Sequence, residues 1–292
     1  MRGHIDNIWL HHVLPFEAIT EMALHHRKAM GDMPSLDLMI LAQDLQHPYQ
    51  LDLWCRLLQH LQSEKLLGKI ILDNGAYEGE MLEGSRLWAI AGALERAIVA
   101  NQSKESRWNS YRSLVVVVPD KFGEEGSLQY SAEQWAFGGF ILNPRIIPMF
   151  VTHCGENSLA SELEEFIRRD TCDNHLKMFG IPKWFQARRL EAVQLIEGFL
   201  KSDPTEEWCP HIHLLGATTS GNDKETLDWL RDVRVPCSMD TGNLWRLSLI
   251  GSSDIHKTID ASDISPKEEI PLRDAVHTYL HNVAAYRGYM NA

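Results

Sequence analysis

The chain has 292 residues, a formal net charge of −12, and a hydrophobic fraction of 44% that supports a sizeable core. The negative charge argues against broad, nonspecific adhesion to nucleic acid, which needs a basic footprint, though a local basic patch fits an acidic protein. Five scattered cysteines (Cys55, Cys154, Cys172, Cys209 and Cys237) with no C-x-x-C pair argue against a disulfide framework and a cysteine-rich zinc site.

The first twenty residues are broken by Asp6, His11, His12 and Glu17 and hold no apolar leader segment. No run approaches membrane-spanning length. A soluble, cytoplasmic protein without membrane contact is expected.

The first strand in chain order is "LDLMILA" (36–42). A helix over "QLDLWCRLLQHLQSEKLLG" follows, with Gly68 as its stop. Then come the strand "KIILD" (69–73) and the helix 85–102. The third strand, "SLVVVVPD" (113–120), is β-branched and reads as buried on both faces. The segment 121–146 is too long for a simple connection, and its "SAEQW" reads as a short helix within an elaborated loop. "IPMFVTH" (147–153) is the fourth strand, followed by a helix with Ser161 and Glu164 as a capping box. "LKMFGIP" (176–182) is the fifth, "PHIHLLGA" (210–217) the sixth and "VPCSMD" (235–240) the seventh. Asn222 reads as the cap of the helix between the last two. "LSLIG" (247–251) is the best eighth strand, and a closing helix spans about 270–288.

Strands alternating with helices imply parallel β-α units, and seven or eight of them in one domain imply a (β/α)8 TIM barrel. The whole of 1–292 is expected to be one domain, with the barrel core at about 36–255. An open doubly wound sheet is the alternative, but no Gly-rich dinucleotide loop follows the first strand.

Barrel enzymes carry their chemistry at the C-terminal ends of the strands. Those ends here hold Asp73-Asn74, Asp120, His153, Gly180 to Lys183, Gly216 and Asp240. Any one of the aspartates could equally be the N-cap of the next helix. The "HIH" at 211–213 has strand spacing that puts both rings on one face, as in some metal-dependent barrel hydrolases. It lacks an obvious set of further ligands, and no metal is assigned. The histidine pairs at 11–12 and 25–26 fall in a region of unassigned structure.

"LDNGAYE" resembles the "DSGGFQ"-type motif of the tRNA-guanine transglycosylases. "MFVTHCG", "KMFGIPKW", "HIHLLGAT" and "PCSMDTGNLWR" resemble that family's following strand ends, in order. The resemblance covers about residues 36 to 250. The family's zinc cluster is missing, since no cysteine follows Cys237. A zinc-less chain with "DNGAYE" is more similar to the phage and bacterial, DpdA-like branch that acts on DNA. A phage-encoded copy would work in the host cytoplasm, protecting phage DNA from restriction.

The resemblance implies replacement of guanine in DNA, rather than tRNA, by a 7-deazaguanine such as preQ0, with no cofactor. It implies Asp240 as the nucleophile that bonds to the sugar and Asp73 as acid/base. Asn74, Asp120, His153, Gly180 and Gly216 would contact the base, with Tyr77 as packing. Lys183 and Arg246, just past strand ends, are candidates for phosphate contacts. The acidic chain leaves room for a partner protein that helps engage DNA. A tRNA substrate, and a metal-dependent barrel hydrolase, are the alternatives.

Overall fold

A computed structural model of the chain describes residues 9–25, 36–75, 82, 84–100, 114–121, 124, 126–137, 146–153, 156–168, 178–183, 189–202, 211–219, 221–259, 262, 264–265 and 269–291. Eight parallel strands close into a barrel in sequence order. They are β1 (Trp9–Val13), β2 (Leu36–Leu41), β3 (Leu67–Asp73), β4 (Leu114–Val117), β5 (Ile146–Val151), β6 (Met178–Ile181), β7 (His211–Leu214) and β8 (Cys237–Asp240). The surrounding helices are α1 (Phe16–His25), α2 (Pro48–Ser63), α3 (Gly84–Val99), α4 (Ser127–Phe137), α5 (Glu156–Arg168), α6 (Arg189–Ser202), α7 (Gly221–Asp232), α8 (Asn243–Leu249) and α9 (Leu272–Asn291). The fold is the (β/α)8 barrel that the alternation of elements implies.

The strands differ from expectation at the two ends of the chain. "LSLIG" is no strand: Leu244, Leu247 and Ser248 are buried at helical spacing on α8. The barrel is instead closed by β1, which pairs with both β2 and β8, so its core begins at Trp9 rather than near residue 36. The seven other expected strands are β2 to β8, and "SAEQW" lies in α4 within the loop after β4.

Three expected helix signals also move. The stop after α2 is Lys65, at φ 60°, while Gly68 lies inside β3. Helix α5 starts at Glu156, so Ser161 sits within it. Helix α7 starts at Gly221, and the backbone N–H of Thr218 before it donates to Asp223 rather than to Asn222.

The strand register fixes the height of each inward side chain. From Asp73 the pairings run in step through Val117, Met149, Met178 and His211 to Pro236 alongside β8. In the other direction they run through Leu41 and Pro15 to Leu244. Pro236 and Leu244 are eight positions apart, the stagger of a tilted eight-stranded barrel. Shared evenly around the strands, this offset puts Asp73 level with Thr241, within one residue of Asp240.

The same map sorts the interior into layers from alternate strands. Val13, Asp73, Val151 and Leu215 form the uppermost. Below it lie Met39, Val117, Gly180 and Asp240, then His11, Ile71, Met149 and His213, then Asp37, Val115, Met178 and Ser238. Lys69, Ile147 and His211 lie at the bottom. The apolar members pack as one cluster inside the barrel, while the larger core lies between barrel and helices. The interior is therefore divided, with an apolar side over β4 to β6 and a polar sector along β7, β8 and β1.

His11 and His12 are both buried but face opposite ways, as neighbours on a strand must. The His11 ring meets His213 edge-on inside the barrel, at 5.3 Å between centroids. His12 faces outward, with Nδ1 2.6 Å from the Tyr279 hydroxyl on α9. Burial, aided by Arg287, pushes the His12 pKa down to about 3. Burial first, then neighbouring histidines and Lys69, drives His11 and His211 well below the ordinary histidine value.

Each of these three histidines is neutral when folded and titrates near 6.5 when unfolded. Below pH 6.5 the unfolded chain binds more protons, so their contribution is complete above that pH and is lost as the pH falls. For His12 the full loss by pH 3 amounts to about 5 kcal/mol. Unfolding free energies from urea titrations between pH 7 and 5 should fall with a limiting slope of about 4 kcal/mol per pH unit, three protons' worth. A His12→Gln variant should lose about a third of that slope. An unchanged slope would show that His12 is protonated in the native state.

Candidate active site

The C-terminal ends of the strands bring most of the sequence-identified residues together. Asp73 is the last residue of β3 and points inward, two positions beyond Ile71 of the interior cluster. Its Oδ1 accepts the N–H of Gly75 at 3.2 Å. Gly75 has φ +77°, and a Cβ there would come within 2.2 Å of Gln43 Oε1. Only glycine fits this turn. Gln43 lies in the 3-10 turn Ala42–Leu45 after β2, and its Oε1 is buried without a hydrogen-bond partner among the described residues. Sequence reading missed Gln43, since no motif marks it.

Asn74, Asp120 and His153 form one cluster, from the ends of β3, β4 and β5. Asn74 is buried and donates from Nδ2 to Asp120 Oδ1 (2.6 Å) and to the Val118 carbonyl (3.0 Å). The other Asp120 oxygen, Oδ2, is bonded to His153 Nε2. Both carboxylate oxygens are thus engaged, each with a further lone pair. By the register, Asp120 and His153 stand about two residues above Asp73, at the barrel mouth.

Asp240 sits on the polar side. Its Oδ1 accepts the N–H of Gly216 at 3.1 Å and faces His213 Nε2 at 3.0 Å. His213 Nδ1 and His211 Nε2 both lie 2.8 Å from Ser238 Oγ. Thr241, a residue type suited to holding the Asp240 carboxylate, instead accepts the Asn243 N–H at the start of α8. None of the three aspartates caps a helix among the described residues. Asp73 precedes α3 by eleven positions, Asp120 is held by Asn74 and His153, and Asp240 is held by β7 and the turn after it.

The two glycines play different parts. Gly180 is buried within β6, where a Cβ would come within about 3.1 Å of Val151, Leu215 and Met149. Packing inside the barrel accounts for it, and it stands in the Asp240 layer below the mouth. Gly216, at φ +62°, turns its N–H to Asp240 and carries the stem of Lys183 over it.

Lys183 is exposed at the end of β6. Arg246 on α8 reaches back over Gly242, and its buried Nε has no hydrogen-bond partner among the described residues. Both cations therefore flank the Asp240 edge of the mouth. Behind them the buried Arg189 pairs with Asp223 at 2.7 Å. It also donates to the carbonyls of Pro182 and Leu215, tying the ends of β6 and β7 together. Tyr77 lies outside the described residues.

His211 and His213 both face the interior, as their spacing implies, and the ring nitrogens given above are committed to Ser238 and Asp240. Among the described residues, no group of three or more His, Cys, Asp or Glu is placed to hold a metal ion. No described helix is long and apolar enough to cross a membrane.

Two inward carboxylates, on β3 and β8, stand within one residue of the same height and face one barrel mouth. One can serve as nucleophile and the other can move a proton. The chain matches no family model, and no curated protein is significantly similar to it.

Proposed function

We propose that this barrel exchanges a base in nucleic acid, replacing guanine with a 7-deazaguanine such as preQ0, in DNA rather than tRNA. The observation that carries the reading is that Asp73 and Asp240 stand within one residue of the same height near the barrel lip, beside the Asn74–Asp120–His153 cluster. The resemblance of the strand-end motifs supplies the substrate class.

Asp240 attacks C1′ of the target nucleotide. The glycosidic bond breaks with its electron pair leaving on guanine, and the Asp73 carboxyl donates the proton that makes guanine neutral. The incoming 7-deazaguanine then loses its ring N–H proton to Asp73 and bonds to C1′, and Asp240 leaves as a carboxylate. Such a double displacement retains configuration at the sugar. Asp120, with lone pairs to spare, accepts from the purine's N–H and amine edge, and His153 and Asn74 hold it in place. The target base is reached only when flipped out or single-stranded. Lys183 and Arg246 bracket the Asp240 side, where the flanking phosphates would run. With 40 acidic residues against 28 Lys and Arg, the chain is repelled overall by a phosphate backbone, which fits a partner protein aiding engagement of DNA.

The test is nucleoside mass spectrometry of DNA and tRNA from cells expressing the chain with a 7-deazaguanine supply. A modified deoxynucleoside is expected. Modification confined to tRNA would reassign the substrate, and none in either would remove the reading. Asp73→Asn should lower exchange by about 10²–10⁴-fold, the usual weight of general acid–base catalysis. Its circular dichroism and urea midpoint should match the parent. Normal exchange by a folded Asp73→Asn protein would take Asp73 out of the mechanism.

A further inference from the structure

The polar sector beneath Asp240 has no direct part in the reaction above. It consists of His211, Ser238 and His213, stepping upward between β7 and β8 toward the carboxylate. We infer that His213 and Ser238 are positioning residues for Asp240, held in a one-way hydrogen-bond chain whose every donor points toward its Oδ1. Their role in catalysis rests on the proposed exchange reaction; the direction of the chain does not.

The direction follows from the contacts. Oδ1 of ionised Asp240 already accepts the Gly216 N–H, so His213 Nε2, at 3.0 Å, must carry a proton and donate it. With that single proton on the ring, His213 has a bare Nδ1, and the Ser238 hydroxyl 2.8 Å away donates to it. Ser238 Oγ is left as an acceptor for the N–H of His211 Nε2, also at 2.8 Å. Burial keeps His211 neutral, with one proton to place. His11, edge-on to His213, braces the ring from the β1 side.

The chain has a stereochemical result. Oδ1 is engaged by two donors, which leaves Oδ2 as the oxygen that bonds C1′. When that bond breaks in the second half-reaction, its electron pair returns to the carboxylate, and the same two donors meet the charge. Because the donors are fixed beforehand, they need no reorganisation at that moment.

Two measurements test this. The first needs no turnover: ¹⁵N NMR of histidine-labelled protein at pH 7, with His213 assigned by its absence in His213→Gln. The expected result is a His213 proton on Nε2 and none on Nδ1, and loss of this single tautomer in Ser238→Ala. A proton on Nδ1, or on both nitrogens, overturns the inference.

The second is exchange kinetics. His213→Leu should lower kcat by about 10²–10³-fold, the scale for one preorganised donor, with little change in KM. His213→Gln, whose amide N–H reaches toward Asp240, should recover about tenfold or more of that loss. A folded His213→Leu protein with parental kcat overturns the inference, as does equal loss in Gln and Leu. If the Leu variant does not fold, the smaller Ser238→Ala change carries the test, with a drop in kcat and constant KM expected and an unchanged kcat overturning it. Wild-type protein that exchanges no base in either nucleic acid sinks the proposed reaction, and the tautomer then decides the chain by itself.

Discussion

An Asp240→Ala variant will fold and yet exchange no detectable guanine. The wild-type protein, given a guanine-containing oligonucleotide and no incoming base, should form an adduct that survives denaturant and runs slowly on a gel. The band should fade when free 7-deazaguanine is added, because the new base resolves the bond. The alanine variant should give no band. Its exchange rate should fall by about 10⁴-fold or more, the scale of removing a nucleophile. The stability penalty is small by comparison. The side chain is mostly buried, and its loss leaves the Gly216 N–H and His213 Nε2 without their partner. That amounts to about 1–3 kcal/mol. If Asp240→Ala exchanges guanine near the parental rate, the covalent route is wrong and the nucleophile lies elsewhere.

The largest effect on stability is expected just behind the Asp240 edge of the mouth. Arg189 and Asp223 have fully buried side chains. Burial lowers the arginine pKa, and the Asp223 carboxylate opposes that shift. Asp223 also accepts the N–H and hydroxyl of Thr218, and the Thr218 carbonyl accepts the Tyr286 hydroxyl from α9. Asp223→Ala would leave a buried guanidinium with its charge uncompensated, at about 3–5 kcal/mol. That is a large share of the roughly 5–15 kcal/mol that holds a typical native protein together. Replacing both partners, Arg189→Met with Asp223→Leu, should cost less than the sum of the single changes. Urea unfolding of the three proteins measures this directly. Strict additivity would mean that the pair is not coupled. The same change should weaken exchange, since Arg189 holds the carbonyl of Leu215, next to the Gly216 that bonds Asp240.

Much of this was legible in the chain, and the exceptions have physical reasons. Runs such as "LVVV" read as strands because a strand covered on both faces needs no polar alternation. In "WLHHV" two adjacent histidines replace the apolar run, since one lines a polar sector and the other bonds a tyrosine, and so β1 was not recognised. "LSLIG" misleads for the opposite reason: a short apolar run does not distinguish a strand from the buried face of a helix. At the site, Asp73, Asn74, Asp120, His153, Gly216 and Asp240 could be picked out because the end of a strand is a position that sequence reveals. Gln43, Ser238 and the roles of His11 and His213 could not. Their meaning depends on register, which decides whose side chains meet across neighbouring strands.

The seam between β1 and β8 bears on how the protein is made. The first of the described strands to leave a ribosome must wait for the last one before its second edge is paired, and His12 waits for Tyr279, 267 positions later. Contacts this distant in sequence slow folding, because the chain between them must be ordered before they form. During synthesis the growing barrel therefore presents two open edges, at β1 and at whichever strand came last. The carboxylate on β8 gains its His11-braced floor only when those edges meet. A nascent chain would carry every helix-forming segment of the first seven units before Asp240 joins the other strand-end carboxylates, so the mouth is completed in one late step rather than growing with length.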